Sequence, residues 1–149
     1  MGKTIEMFVS LKIPDATAIT ALRTLKEMGY KELQGLTREI YYLFEISSDD
    51  KKFRDAIAKV DILVNANKHT VSFEPKKKGV SILVEDMEHG EGLTNTLKHR
   101  LGFNEILSCK QGVLWTFDIK GAKAQDLAKK MTEELLANIH YQRYKVMNK

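Results

Sequence analysis

The chain has 149 residues, of which 43% are hydrophobic and 30% charged, a composition that indicates one ordinary globular domain or two small ones and excludes a disordered chain. Its apolar runs fall far short of the roughly 18 residues that span a bilayer, and Met1 to Ile13 has no secretory core, so a cytoplasmic protein with no membrane partner is expected. The net charge of +4 names no nucleic-acid partner: residues 1–75 carry 11 Lys and Arg against 11 Asp and Glu, and the excess, 13 against 9, lies in residues 76–149, beginning with Lys76, Lys77 and Lys78.

In chain order, Ile5, Met7, Val9, Leu11 and Ile13 alternate with polar residues and predict a strand with one buried face. Pro14 ends it and Asp15 is placed to cap a helix, in which Ala18, Ile19, Leu22, Leu25 and Met28 recur at helical spacing as far as Gly29. A short strand over Leu33 to Arg38 and a longer one through Ile40, Tyr42, Phe44 and Ile46 come next. Ser48-Asp49-Asp50 then caps a second helix with Phe53, Ala56, Ile57, Val60 and Val64 as its stripe, and Val71 and Phe73 mark a last strand. The order is β-α-β-β-α-β.

Residues 80–149 repeat that grammar. Val80, Ile82 and Val84 alternate, Leu93, Leu97 and Leu101 have helical spacing up to Gly102, and Val113, Trp115, Phe117 and Ile119 form a strand. Ala124, Leu127, Ala128, Met131 and Leu135 make another helical stripe, and Tyr141, Tyr144 and Val146 the final strand. Gly29 to Ile46 aligns without a gap on Gly102 to Ile119, with identities at Gly29/Gly102, Glu32/Glu105, Phe44/Phe117 and Ile46/Ile119. The word Ala-Asn-x-His stands at Ala66–His69 and again at Ala137–His140. Together these predict an α+β chain of two tandem ferredoxin-like repeats with antiparallel sheets and a pseudo-twofold relation. The expected divisions are 1–75, a short Lys-rich linker at 76–79, and 80–149.

The sheet faces turned from the helices carry Phe8, Tyr41, Leu43, Leu83 and Leu114. Leaving them bare forfeits about 1.5–3 kcal/mol each, so either the halves cover one another or a partner covers them.

Residues able to carry chemistry are few and scattered. Glu85, Asp86, Glu88, His89 and Glu91 form an acidic cluster without a metal-site spacing, read as helix-dipole residues. Gly90-Glu91-Gly92 matches no phosphate loop, and among His69, His89, His99 and His140 only the first and last occupy matched positions, at turns. The single Cys109 lies in an apolar strand and reads as packed, as does Trp115. Phe8 and Tyr41 sit where an RNA-binding sheet would stack bases, but Arg38 to Phe44 lacks the glycine and aromatic pattern of such a strand. No catalytic, cofactor-binding or metal-binding residue is assigned.

Three stretches carry a family resemblance. Leu135-Leu136-Ala137-Asn138 followed by Tyr141 to Val146 resembles the close of PurS, the small subunit of phosphoribosylformylglycinamidine synthase. Leu101 to Ile106 through Lys110-Gln111-Gly112 resembles that family's helix end and the strand after it, and Met7 to Lys12 is similar to its first strand. The resemblance implies a PurS dimer written on one chain. It implies a non-catalytic subunit in de novo purine biosynthesis that joins a glutaminase (PurQ-like) to a synthetase (PurL-like) subunit, with further self-association possible. ATP, magnesium and glutamine would be used by those partners, and none would be bound here. The alternative is a duplicated ferredoxin-like regulatory module that binds a small metabolite between its halves.

Overall fold

The computed structural model describes residues 3–47, 49–74, 79–86, 91–138 and 140–147. Its strands are β1 (Lys3–Leu11), β2 (Leu33–Ile46), β3 (His69–Ser72), β4 (Val80–Asp86), β5 (Ile106–Ile119) and β6 (Gln142–Val146). They form one antiparallel sheet in the order β3-β1-β2-β5-β4-β6. Helices α1 (Ala16–Glu27) and α2 (Asp50–Ile57) belong to the first half of the chain; α3 (Glu91–Asn95) and α4 (Ala124–Met131) belong to the second, and each of these two runs on into a π-helical turn, Thr96–Arg100 and Thr132–Leu136. The fold is α+β, as expected. Lys76, Lys77 and Lys78 of the expected linker lie outside the described residues.

One expectation is corrected. The two strands read at Leu33–Arg38 and Ile40–Ile46 are a single strand of 14 residues, so the first half runs β-α-β-α-β. Between Arg38 and Ile40 stands Glu39, and no Gly, Pro or Asn is present there to turn the chain. Buried positions of both parities, Leu33 and Leu36 early and Tyr42 and Phe44 late, gave the appearance of two segments.

The halves share their pairing register. Met7 faces Tyr42 as Ile82 faces Trp115, and Val9 faces Val71 as Val84 faces Tyr144. The first strand is thus displaced by 75 residues and the later ones by 73. β2 and β5 carry the same burial sequence except at Arg38/Gln111 and Ile46/Ile119. Beyond their ends, Ser47 N donates to Glu105 O and Lys120 N to Glu32 O, one bond written twice at a 73-residue shift. Gly29 and Gly102 end the helices before these strands at φ 107° and 79°, a left-handed backbone that only glycine adopts without strain.

The chain divides into two compact units, and neither is a half of the sequence. Unit 1 comprises Met1–Lys12, Ile40–Pro75 and Glu88–Gln111; unit 2 comprises Ile13–Glu39, Lys76–Met87 and Gly112–Lys149. In unit 1, Met7, Val9, Tyr42, Phe44, Phe53 and Ile57 share a core with Leu97, Ile106 and Cys109. Phe53 of α2 meets Phe44 at 5.2 Å and Phe103 at 6.1 Å, both edge to face. In unit 2, Ala18, Ala21 and Leu25 of α1 share a core with Ile82, Val84, Trp115, Phe117 and Met131. The helix after β1 therefore packs on strands of the second half, and the helix after β4 packs with strands of the first.

The side chains on the sheet faces turned from the helices are not bare. Phe8, Leu83 and Leu114 are 1% exposed and Tyr41 3%, while Leu43 is half-buried. Because each core draws on both halves, residues 1–75 made alone are expected to show no cooperative thermal unfolding, and mixing them with residues 76–149 to restore it. A stable, folded monomer of residues 1–75 in calorimetry and far-ultraviolet circular dichroism contradicts this arrangement.

Candidate functional site

Two residues of the acidic cluster flagged in the sequence serve the framework. Glu85 lies 3.9 Å from Lys145 Nζ, and Asp86 accepts a 2.9 Å hydrogen bond from Gln142 Nε2, so both hold β6 to β4. Glu88, His89 and Gly90 lie outside the described residues. Among the described residues no three His, Cys, Asp or Glu side chains gather as a metal site. Burial leaves Cys109 3% exposed and pushes its thiol up to about 12, which removes the thiolate a nucleophile requires. Tyr42 rises to about 12 for the same reason, with the neighbouring Cys109 adding to it. Phe8 and Tyr41 pack on each other at 5.4 Å and are buried, so neither presents a ring to a base.

The repeated Ala-Asn-x-His needs a corrected register. Asn65 Oδ1 accepts from Asn67 N, its carbonyl accepts from Lys68 N and His69 N, and its own N–H donates to His69 Nδ1. Asn138 Oδ1 accepts from His140 N, its carbonyl accepts from Tyr141 N and Gln142 N, and its N–H donates to Gln142 Oε1. The equivalent residues are Asn65 and Asn138, 73 apart like the strands, and His69 corresponds to Gln142. The two identical words are offset by two residues and coincide only in letters. An Asn side chain that bonds the amide two residues on is a turn device, which accounts for both joints without catalysis.

One concave feature, within unit 2, was missed from the sequence. It is a groove of about 490 Å³ lined by Ala16, Thr17, Thr20, Ala21 and Thr24 of α1, by Trp115, and by Leu135 and Leu136. Trp115 is 6% exposed: it is core, as expected, and also a wall of the groove. Leu135 was expected on the buried stripe of α4 and is instead 39% exposed. The wider π turn at Thr132–Leu136 inserts a residue into the helical repeat and rotates the end of the helix off the stripe. Thr132 Oγ1 bonds the Ala128 carbonyl at the start of that turn, as Thr96 Oγ1 bonds the Gly92 carbonyl at the start of the other. Thr24 bonds Thr20 in the same way inside a regular α1, so the hydroxyl bond alone does not make a π turn. The sequence signal for the groove was the row Thr17, Thr20, Thr24, one helix face of small hydroxyl residues beside an alanine.

Asp15 fixes the start of the groove's helical wall. Its carboxylate accepts from the amides of Thr17 at 3.0 Å and Ala18 at 3.3 Å, and from Arg38 Nε at 2.9 Å and Nη2 at 3.2 Å. Partial burial pushes its pKa up, but the Arg38 hydrogen bond, the Ala18 amide, the Arg38 charge and the Thr17 amide together outweigh it, leaving the group below 3.8. Tyr144 hydroxyl donates to Glu133 Oε1 at 2.7 Å, and burial first and that carboxylate second push its pKa up.

Gly112, of the Lys110-Gln111-Gly112 stretch, is required by space. A Cβ there would lie 2.8 Å from the Val84 carbonyl oxygen and 2.9 Å from Leu83 Cδ1. Its counterpart in the first half is Glu39, 5% exposed.

Compared with known protein families and with curated proteins, the chain matches none. Among the described residues no helix is long and apolar enough to cross a membrane.

Two substitutions test this geometry. Asp15→Ala is expected to cost about 1–2 kcal/mol at pH 7, the usual loss of an N-cap, and Asp15→Asn less, since Asn still caps. A depressed carboxylate stabilises the folded state above the ordinary pKa and ceases to as pH falls through the lowered folded value. The gap between wild type and Asp15→Asn, read by urea unfolding, should therefore close as pH drops below about 4. Gly112→Ala is expected to lower stability by about 1–3 kcal/mol through overpacking against β4, and an unchanged urea midpoint contradicts the close approach.

Proposed function

We propose that this chain is a non-catalytic bridging subunit of the PurS kind, a tandem duplication that places two β-α-β-α-β repeats on one polypeptide. The observation that carries the reading is the shared register: Met7/Tyr42 with Ile82/Trp115, and Val9/Val71 with Val84/Tyr144. Two copies of one pairing scheme, each compact unit built from both copies, are the expected product of fusing the subunits of an intertwined dimer. Two of the three stretches that resemble PurS fall at structurally demanding places, which supports the reading further. Gly112 is set by the approach of β4, and Asn138, closing Leu-Leu-Ala-Asn, holds the joint before β6. In this reading the chain joins a glutaminase to an ATP-dependent synthetase that converts formylglycinamide ribonucleotide to formylglycinamidine ribonucleotide. Ammonia release and phosphoryl chemistry stay on those partners.

Purified synthetase and glutaminase subunits from the same source are to be assayed with glutamine and ATP, with and without this protein. The expected outcome is a glutamine-dependent rate that rises at least tenfold on addition and a three-component complex on size exclusion. Equal rates and separate elution overturn the proposal.

A further inference from the structure

The groove of unit 2 has an identifiable origin in the difference between α1 and α3. Leu25 and Leu97 are both 0% exposed, and Thr24 and Thr96 each bond the carbonyl four residues back at 2.9 Å, so the two helices align at a shift of 72. Ala21 then corresponds to Leu93, which packs on the core of unit 1. Where Leu93 fills space, Ala21 ends at Cβ and lines a groove of about 490 Å³, within the range of small-molecule sites.

The walls of the groove specify its occupant. Trp115, Leu135 and Leu136 are apolar, and no charged side chain among the described residues lines it. The hydroxyl of Thr24 is used by the Thr20 carbonyl, whereas those of Thr17 and Thr20 make no hydrogen bond to any described residue. With no charged side chain among these residues, a charged ligand finds no counter-ion here. A neutral one could lay its body along Trp115 and Leu136 and bond the hydroxyls of Thr17 and Thr20 with its polar edge.

We infer that this groove binds a small neutral molecule with a ring-sized apolar body and one hydrogen-bonding edge. The site is independent of the bridging reading, since it lies within one unit and requires no partner protein.

N-Phenyl-1-naphthylamine, a neutral fluorophore, serves as the probe with the full-length chain. Trp115 is the only tryptophan, so energy transfer from it reports binding near this groove. The expected result is saturable transfer at one probe per chain, and at least tenfold weaker binding of the anionic 8-anilino-1-naphthalenesulfonate. Ala21→Leu should reduce probe affinity at least tenfold by supplying the side chain that Leu93 supplies in α3. Thr20→Leu, at an exposed position on the rim, should do the same and keeps the test valid if Ala21→Leu unfolds; thermal midpoints confirm which variants are folded. Absence of saturable transfer, or transfer unchanged in a folded Ala21→Leu or Thr20→Leu, overturns the site. Equal affinity for the sulfonate overturns the neutral ligand class.

Discussion

The burial of α1 against strands of the second half is the interaction on which the rest of the fold depends. Leu25 is fully buried among Ile82, Trp115, Phe117 and Met131, and Ala18 and Ala21 lie in the same cluster. Complete burial of one leucine contributes about 1.5–3 kcal/mol, a large share of the roughly 5–15 kcal/mol that holds a domain together. Remove α1 and unit 2 loses one wall of its core. The reciprocal holds for Leu97 in unit 1. The exchange of helices gives each unit a contribution from both halves of the chain, so neither half contains a complete hydrophobic core.

That dependence explains where polar groups are placed. Asp15 stands at the junction where the chain leaves β1 for α1, and its carboxylate is held by two amides and the Arg38 fork. Cap and ion pair together aim the helix, since Arg38 is on β2 in the same unit. At the other ends of the repeats, Asn65 and Asn138 tie off their joints with the same set of bonds while differing in the group that answers them, a His ring in one and a Gln amide in the other. The chemistry of these residues is spent on shape. The groove beside α1 is where shape is left unfilled, and its origin is a single alanine opposite a leucine in the aligned helix.

Part of this was legible in the sequence because it is local. The alternation of β1 as far as Val9, the Asp15 cap, Phe53 and Ile57 of α2, Ala128 and Met131 of α4, and the glycines that end two helices each reflect spacing and backbone preference. Other expectations ran past the elements: Ile13 is 69% exposed beyond the end of β1, and α2 stops at Ile57, before Val60 and Val64. The 73-residue shift was also present in the ungapped alignment of Gly29–Ile46 with Gly102–Ile119. Pairing at a distance was not legible. A stripe such as Ala18, Ala21 and Leu25 states that a face is buried and not which strands bury it. The stripe itself was misjudged, since Ile19 is 47% and Met28 44% exposed where Ala21 is buried. Helical spacing admits either neighbour, and hydrophobicity favours the larger one. Leu135 escaped for a different reason: a π turn shifts the period, and no residue type announces it. Identical words misled at Ala66–His69 and Ala137–His140, because hydrogen bonds depend on position in the turn and ignore the letters.

The central claim is that α1 belongs to the core built on the second half of the chain, and hydrogen exchange on Met131→Ala tests it most directly. Met131 is fully buried in the core that α1 shares. The account predicts that amides of α1, residues 16–27, lose protection at least as much as those of α4, while the segment around Leu97 is affected less. Faster exchange across residues 80–149 as a block, with α1 unchanged, would contradict it.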